Sequence, residues 1–383
     1  MSMGATQYIQ DLENDEIRMV RDSAQKFTAS RTDHLRTRAL RELTPGYDAR
    51  LLAEMAELGW LAITIPEEHG GLNLGFGALG TVLEETSRGL LSEPLTRAAL
   101  AARLVALGQN EEAAAEMLPA IASGEAIASL AWQESASGDD LLRIGDCLTR
   151  AEDTGSAYRL SGCKRFVDFP ADGGFIVTAS DGVGIGLFAV DANAPGVVVE
   201  SHRRADGVTQ CTLVLNQAPA RHFLARGETA MSSLEQALDE AAVMTCAELC
   251  GIMGFVLETT LEFMRTRVQF DRPIGSFQAL QHRAVDLYIQ RELAVAAYGD
   301  ALEAIATTAS VAERRLAVSR AKSRCASAAT RIALDAIQLH GAIGFTDEHD
   351  LGLYLKRTIT LAAQFGTADA HQQRCQQALF SQN

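Results

Sequence analysis

The apolar residues of this chain change their spacing twice, near residue 125 and again near residue 228. Before the first and after the second of these points, the apolar residues recur at i, i+3, i+4 and i+7, which is typical of amphipathic helices. Between these points, short runs such as "GGFIVTAS" and "GIGLFAV" are separated by turn residues, as in β-strands. One segment cannot satisfy both periods, so we predict a mainly α protein with a middle β-domain.

We place the boundaries of the three zones at the two changes of period. Residues 1–125 are predicted to form a helical domain, residues 126–227 a small β-barrel or sandwich, and residues 228–383 a four-helix bundle. The bundle is indicated by four long amphipathic segments joined by short connections. They cover residues 230–268, 279–309, 311–341 and 350–365.

Charge and cysteine usage limit the possible partners. The net charge of −15 argues against binding to nucleic acids or to an anionic membrane. The seven cysteines show no CxxC spacing, so we predict free thiols and no metal site. The acidic start "MSMGATQYIQDLENDE" lacks the apolar core of a secretion signal. We therefore expect a cytoplasmic protein without a leader or a membrane span.

The segment "RTRVQFDRPIGSFQALQH", residues 265 to 282, joins two of the helical zones. In the simplest interpretation, Ser276 caps the new helix, and Arg267 and Arg272 are solvated charges. In the functional interpretation, two arginines beside a fresh helix N-terminus form a phosphate site, because guanidinium groups and free N–H groups both favour anions. The spacing by itself leaves both interpretations open.

The segment "IQLHGAIGFTDEHD", residues 337 to 350, contains a glycine pair. Gly341 and Gly344 either only end the preceding helix or let a ligand approach the backbone closely. Gln338 is able to hydrogen-bond a polar ligand group. His340 is predicted to be structural or a hydrogen-bonding neighbour rather than a metal ligand.

Together these motifs resemble the acyl-CoA dehydrogenase family over nearly the whole chain. The N-terminal part of the resemblance is carried by "LGWLAITIPEEHGGLNLGF", "AWQESASGDD" and "SGCKRFVDF". The resemblance implies FAD as the cofactor and a dimer or tetramer with flavin near the subunit interfaces. It also implies the residues that hold the adenosine-diphosphate half of a neighbouring subunit's FAD: Arg267, Phe270, Gln278, Gln338, Gly341 and Gly344.

The resemblance also implies a reaction, in which a carboxylate removes the Cα proton of a thioester while Cβ transfers a hydride to flavin. The family places its glutamate at one of two positions, which here are Phe365 and Ala241. Both are apolar. Glu240 is adjacent to the second position, but one residue along a helix turns a side chain by about 100°. Asp369 lies four residues beyond the first, and both acids remain weak candidates for the base.

Two further positions depart from the family pattern. Asp139 stands where the family often has a serine that contacts the flavin pyrophosphate, and a carboxylate there would repel phosphate. Asp168 stands where the family has a threonine near the flavin ring. These departures indicate the loss of the chain's own flavin site, whereas the residues that contact a neighbour's flavin all match.

Three hypotheses follow. In the first, the chain is the small or β subunit of an α2β2 acyl-CoA dehydrogenase acting on a bulky acyl group, such as a steroid side-chain or dicarboxylate thioester, and a paralogous partner supplies the base. The segment "GLLSEPL" resembles that branch. In the second, a self-sufficient homo-oligomer uses Asp369 or Glu240. In the third, the chain is a non-catalytic subunit without flavin. For both enzymes, the resemblance implies electron-transfer flavoprotein as the acceptor.

Overall fold

The structure is a computed structural model that describes residues 15–136, 139–155, 157–169, 173–307 and 310–380. The N-terminal part is helical, as its 3.6-residue period predicts. Asp48 and Asn110 begin two of these helices by accepting a hydrogen bond from a backbone N–H of the first turn. The helices are α1 (Asp15–Arg31), α2 (His34–Leu40), α3 (Ala49–Glu57), α4 (Gly75–Arg88), α5 (Leu95–Ala106) and α6 (Glu111–Ala122).

The middle part forms one sheet of eight strands among the described residues. The strands are β1 (Ser129–Ala131), β2 (Arg150–Asp153), β3 (Tyr158–Asp168), β4 (Phe175–Ser180), β5 (Ile185–Val190), β6 (Val197–Arg203), β7 (Thr209–Pro219) and β8 (His222–Arg226). Their order is β6-β7-β3-β2-β4-β5-β8, with β1 parallel to β4. Buried and half-buried positions alternate along β7, where Cys211, Leu213 and Leu215 enter the core.

In its described residues, the C-terminal part contains the four predicted long helices and one more. They are α7 (Gly227–Thr266), α8 (Gln278–Ala306), α9 (Val311–His340), α10 (Leu351–Ala363) and α11 (Ala368–Phe380). A two-stranded hairpin, β9 (Val268–Gln269) and β10 (Arg272–Pro273), lies between α7 and α8. The prediction of a mainly α fold with a middle β-domain is confirmed.

The described chain divides into two compact units that do not follow the predicted zones. One contains the described residues of Met1–Arg38, Gly80–Leu91 and Ala242–Asn383, and the other those of Ala39–Leu79 and Ser92–Ala241. The N-terminal helices are thus shared between the units, with α1 in the first unit and α3, α5 and α6 in the second. The domain boundaries at 125 and 227 stay a prediction.

Helix α7 is long and apolar enough to cross a membrane by composition, but 94% of its most apolar window is buried within the protein. That degree of burial is typical of a core helix. Cys246 and Cys250, four residues apart on α7, are buried free thiols, as predicted. No group of three metal-binding side chains occurs in the part of the chain that the structure describes.

Candidate functional site

The two C-terminal motifs meet at one end of the helical bundle. The ring of Phe263, near the end of α7, stacks on the ring of His340, the last residue of α9, with a centroid distance of 4.2 Å. Arg267 and Gly341 directly follow these two helix ends. The structure therefore brings together the two segments that the sequence analysis selected.

The first motif forms a tight hairpin that exposes an aromatic ring. Phe270 and Asp271 join β9 to β10 with positive φ angles of 51° and 60°. The Phe270 side chain is 86% exposed. Among the described residues, the exposed Arg267 side chain has neither a hydrogen-bond partner nor an ion pair, while its backbone carbonyl accepts a hydrogen bond from Ile274 (2.8 Å). The hairpin thus presents a guanidinium and an aromatic ring to the surroundings.

The interpretation of Ser276 as a helix cap is wrong. Its hydroxyl donates to the carbonyl of Pro273 at 2.7 Å, and the N-cap position of α8 belongs to Phe277, without a side-chain cap. The Arg272 guanidinium lies over the Phe277 ring at 4.1 Å, so it is not simply a solvated charge. Gln278, the first residue of α8, is exposed.

The second motif ends α9 with a backbone that requires glycine. Gly341 has φ 66° and ψ −142°, a conformation that side chains disfavour, and a Cβ there would meet open space. A Cβ on Gly344 would lie only 2.6 Å from the carbonyl oxygen of Ile337, so this glycine is needed for packing. Gln338 is exposed. Burial lowers the pKa of His340, whose Nδ1 lies 2.8 Å from the Ala336 carbonyl, in accord with a structural role.

Phe365, the first of the two positions expected for the family's base, lies in the turn between α10 and α11. Phe365 is buried and has φ 55°. Its carbonyl accepts a hydrogen bond from His371 Nε2 at 2.9 Å. The buried Lys322 ammonium donates to the carbonyls of Ala362 and Gly366 at 3.0 and 2.9 Å. Two buried donors therefore hold three carbonyls of this segment, which we call the Phe365 turn (residues 362–367).

The second expected position, Ala241, also lacks a side chain that could act as a base. Ala241 is buried in α7. The adjacent Glu240 accepts hydrogen bonds from Arg103 Nε and Gln236 Nε2, both at 2.9 Å. A carboxylate held by these donors has fewer lone pairs left for a substrate proton. The structure thus gives Glu240 a structural ion pair.

The other candidate, Asp369, is exposed in the first turn of α11. It lines a groove of about 750 Å³ with Arg331, Asp335 and Thr367. This groove lies between α9, α10 and α11. Asp369 is therefore accessible to a ligand, whereas Glu240 is not.

Of the two acids that depart from the family pattern, the structure describes the side chain of Asp168 but not that of Asp139. Asp139 begins a short 3-10 helix, and its side chain lies outside the described residues. The Asp168 carboxylate accepts a hydrogen bond from Arg204 at 3.0 Å, and the same guanidinium also contacts Asp206 at 3.3 Å. Asp168 thus shares one arginine with a second carboxylate, and its effect on a flavin site stays a prediction.

One buried ion pair was not predicted from the sequence. Lys164 is fully buried and donates to Glu134 and to Thr178 Oγ1, each at 2.7 Å. Burial alone would raise the pKa of Glu134, but the Lys164 ammonium and its hydrogen bonds hold that pKa down to about 2. Both residues stand in segments quoted above, yet no spacing rule pairs side chains thirty residues apart.

Comparison of the sequence with known proteins identifies the family. Residues 231–380 match the profile "Acyl-CoA dehydrogenase, C-terminal domain", and residues 14–125 match "Acyl-CoA dehydrogenase, N-terminal domain". Acyl-CoA dehydrogenase IpdE2 of Mycobacterium tuberculosis is 31% identical, over 90% of this chain and 91% of that protein. The chain belongs to the acyl-CoA dehydrogenase family.

Two solved structures share the fold. A single-residue variant of the Tcur3481-Tcur3483 steroid ACAD has a TM-score of 0.86 and 28% identity, covering 96% of this chain and 98% of that chain. The ChsE4-ChsE5 complex from Mycobacterium tuberculosis also has a TM-score of 0.86, at 24% identity, over 96% of this chain and 98% of that one. The family is FAD-dependent, and its members are oxidoreductases that act on acyl-CoA.

The residues at the end of the bundle fit one part of FAD. Arg267 offers a guanidinium without a partner among the described residues, and Gln278 and Gln338 offer exposed amides. Guanidinium and amide donors suit the oxygens of a diphosphate and a ribose. The open space beside Gly341 leaves room for a ligand near the backbone.

Proposed function

We propose that this chain is one subunit of a heteromeric, FAD-dependent acyl-CoA dehydrogenase. In this assembly it completes the flavin site of a paralogous subunit, and the paralogue supplies the catalytic base. A single contrast carries the proposal. Phe365 and Ala241 are buried and apolar at the two base positions, whereas Arg267, Gln278 and Gln338 are exposed donors without side-chain partners among the described residues.

The chemistry explains why the missing carboxylate matters. A thioester Cα–H is a weak acid, so its removal needs a carboxylate within hydrogen-bond reach. FAD, when bound, accepts the hydride from Cβ. The phenyl ring of Phe365 cannot accept a proton, and the methyl group of Ala241 cannot either. A chain with these residues needs either a partner's carboxylate or one from another position.

Exposed apolar side chains on the same motifs support an interface there. Val268 and Phe270 on the hairpin are 53% and 86% exposed, and Ile343 and Phe345 after α9 are 50% and 73% exposed. Large apolar side chains grouped beside unpaired polar donors are typical of protein–protein contact sites. We infer that the partner subunit and its FAD cover this end of the bundle.

The names of similar proteins support the finer parts of the proposal. One solved structure is described as a steroid ACAD, and another as a complex of two differently named chains. By analogy, we propose a bulky acyl group such as a steroid side-chain or dicarboxylate thioester, and an α2β2 assembly. We further propose a cytoplasmic enzyme that passes electrons to electron-transfer flavoprotein.

Native mass spectrometry of the tagged chain, isolated from its own host, tests the proposal. It counts the subunits and the FAD in one measurement. We expect two different subunits and one FAD per heterodimer. A homotetramer with one FAD per chain would contradict the proposal, and so would a heteromer that contains no flavin.

A matched pair of variants tests the role of the exposed arginine. Arg267→Met in this chain should remove most FAD from the heteromer without separating the subunits. Arg265→Met is the control, because Arg265 is also exposed at the end of α7 but pairs with Glu262 on its own helix at 3.5 Å. Equal FAD content in the two variants would show that Arg267 does not hold the cofactor.

One observation favours a second candidate function, a self-sufficient homo-oligomer. Asp369 is exposed and lines the groove beside the Phe365 turn. If a pure homo-oligomer dehydrogenates an acyl-CoA, Asp369→Asn should abolish its activity. Unchanged activity in Asp369→Asn, and also in Glu240→Gln, would remove this alternative.

A further inference from the structure

The short helix α2 has no fully buried side chain, so packing into the core does not explain its position. Its residues His34 and Arg38 are four apart and therefore lie on the same face of the helix. Both side chains are largely shielded from solvent, with exposed fractions of 19% and 21%. This face of α2 contacts the chain that follows the second flavin motif.

His34 and Arg38 both bind the connection between α9 and α10, which we call the glycine segment (residues 341–350). The Arg38 guanidinium donates to the Asp350 carboxylate at 2.8 Å. It also donates to the Asp347 carbonyl, from Nη2 at 2.8 Å and from Nε at 3.2 Å. His34 Nδ1 lies 2.8 Å from the other oxygen of Asp350 and donates to it, since a carboxylate only accepts. His34, Arg38 and the glycine segment belong to one compact unit.

The glycine segment has little burial of its own. Six of its ten residues are exposed, and only Gly344 is fully buried. A segment with so few buried contacts opens easily unless hydrogen bonds hold it. Within it, Thr346 donates to the Ile343 carbonyl from its N–H (3.1 Å) and from its hydroxyl (2.8 Å). The bonds from α2 and those of Thr346 thus connect α2 to the turn that begins at Gly341.

The bonds to the Asp347 carbonyl distinguish this contact from an ordinary surface ion pair. A pair of two exposed, flexible side chains contributes little, because both ends remain free to move. Here one acceptor belongs to the backbone, and both N–H groups that reach it come from one planar guanidinium. Arg38 therefore fixes the backbone of the glycine segment itself.

We propose that Arg38 and His34 are positioning residues for the flavin site that this chain completes. By holding the far end of the glycine segment, they keep the backbone at Gly341 in the conformation that receives the adenosine-diphosphate half of a neighbouring subunit's FAD. A segment that is already ordered loses less conformational freedom when its ligand binds, so its affinity is higher. The inference rests on the flavin-completing part of the proposed function, and it holds for a heteromer and for a homo-oligomer.

Arg38→Met removes every N–H donor of this side chain and keeps a flexible apolar stem. Because α2 has no fully buried side chain to lose, the variant should fold. We expect FAD to bind the assembled protein about tenfold more weakly, since the glycine segment must then be ordered on binding. At saturating FAD, the backbone amides of residues 341–350 should exchange hydrogen for deuterium faster. Fluorescence titration of FAD and hydrogen exchange followed by mass spectrometry measure the two effects.

The matched control is Arg203→Met. Arg203 makes the same two kinds of bond, to the Glu42 carboxylate at 2.9 Å and to the Glu42 carbonyl at 3.0 Å, but in the other compact unit. This variant should keep the FAD affinity and the exchange of residues 341–350 of the unmodified protein. Arg38→Lys restores a charge for Asp350 but not the planar fork on the Asp347 carbonyl. Its FAD affinity should lie between those of Arg38→Met and the unmodified protein.

Unchanged FAD affinity in Arg38→Met, with or without a lower Tm, would overturn the inference and leave the proposed function standing. Weaker FAD binding without faster exchange of residues 341–350, or an equal weakening in Arg203→Met, would overturn it as well. Arg267→Met, measured in parallel, tests the function on which the inference rests. If that variant binds FAD as the unmodified protein does, the chain completes no flavin site, and the proposed function fails together with the inference.

Discussion

The Nε2 atom of His371 lies 2.9 Å from the carbonyl oxygen of Phe365, and the His371 side chain is fully buried. Since a carbonyl only accepts hydrogen bonds, Nε2 carries the proton. Burial, together with the nearby Lys322 charge, lowers the pKa of His371 to about 3. A neutral imidazole therefore helps to fix the turn at one of the two positions expected for the family's base, where this chain carries a phenyl ring.

This lowered pKa predicts a loss of stability in mild acid. The unfolded imidazole, with an ordinary pKa near 6.5, binds a proton below that pH, while the folded one stays neutral down to about 3. Stability therefore falls as the pH drops through this window. We expect the free energy of unfolding in urea to decrease by about 2 kcal/mol between pH 7 and pH 5 from this residue alone. The His371→Gln variant keeps a hydrogen-bond donor but does not titrate, so this decrease in the free energy of unfolding should vanish. An unchanged pH profile would refute the assignment of the decrease to His371.

Lys322 is predicted to stabilise the Phe365 turn. Lys322→Met fills a similar volume but leaves the carbonyls of Ala362 and Gly366 without their donor. We expect destabilisation by about 2–6 kcal/mol, from about 1–3 kcal/mol for each of the two unsatisfied carbonyls, measured by urea unfolding of the assembled protein. Lys26→Met, at an exposed position on α1, is the control and should change stability by less than about 0.5 kcal/mol. Equal effects of both substitutions would mean that the turn does not depend on Lys322.

The ion pair of Glu134 with Lys164 gives a prediction about coupling. Lys164→Met should destabilise the protein by about 3–5 kcal/mol, because it leaves a buried carboxylate without its counter-charge. Adding Glu134→Gln should recover much of this loss, since a neutral amide is less costly to bury. A double-mutant cycle of urea unfolding measures the coupling. Additive effects of the two substitutions would show that the pair is not coupled in the folded protein.

Glu240 is predicted to matter for stability and not for catalysis. In the active heteromer, Glu240→Gln should leave kcat and KM within about twofold and lower the Tm, because the charge-assisted bond with Arg103 is lost. Arg103→Gln should lower the Tm in the same way. A fall in kcat of a hundredfold or more in Glu240→Gln alone, with the Tm unchanged, would instead identify Glu240 as a base.

Elements with strong periodicity were predicted well, and side-chain partners were not. The segment 230–268 was expected as one helix, and α7 covers Gly227–Thr266. Ser276 looked like a cap because capping residues are recognised by type and position, yet its hydroxyl bonds to Pro273. The ion pair of Asp168 with Arg204 was not predicted, because the two residues lie thirty-six residues apart in sequence. Pairing across such a distance depends on strand register, which local patterns do not encode.

By itself, the sequence determined the order of helices and strands, the motifs that mark the family, and the absence of a carboxylate at positions 365 and 241. Periodicity and residue identity can be read from short stretches of sequence, so neither requires knowledge of the fold. Only the tertiary structure decided that Glu240 is held by Arg103, that His371 and Lys322 fix the Phe365 turn, and that Lys164 pairs with Glu134. These relations arise because folding brings distant segments into contact and removes their polar groups from water, so that each group's chemistry depends on the neighbours it meets.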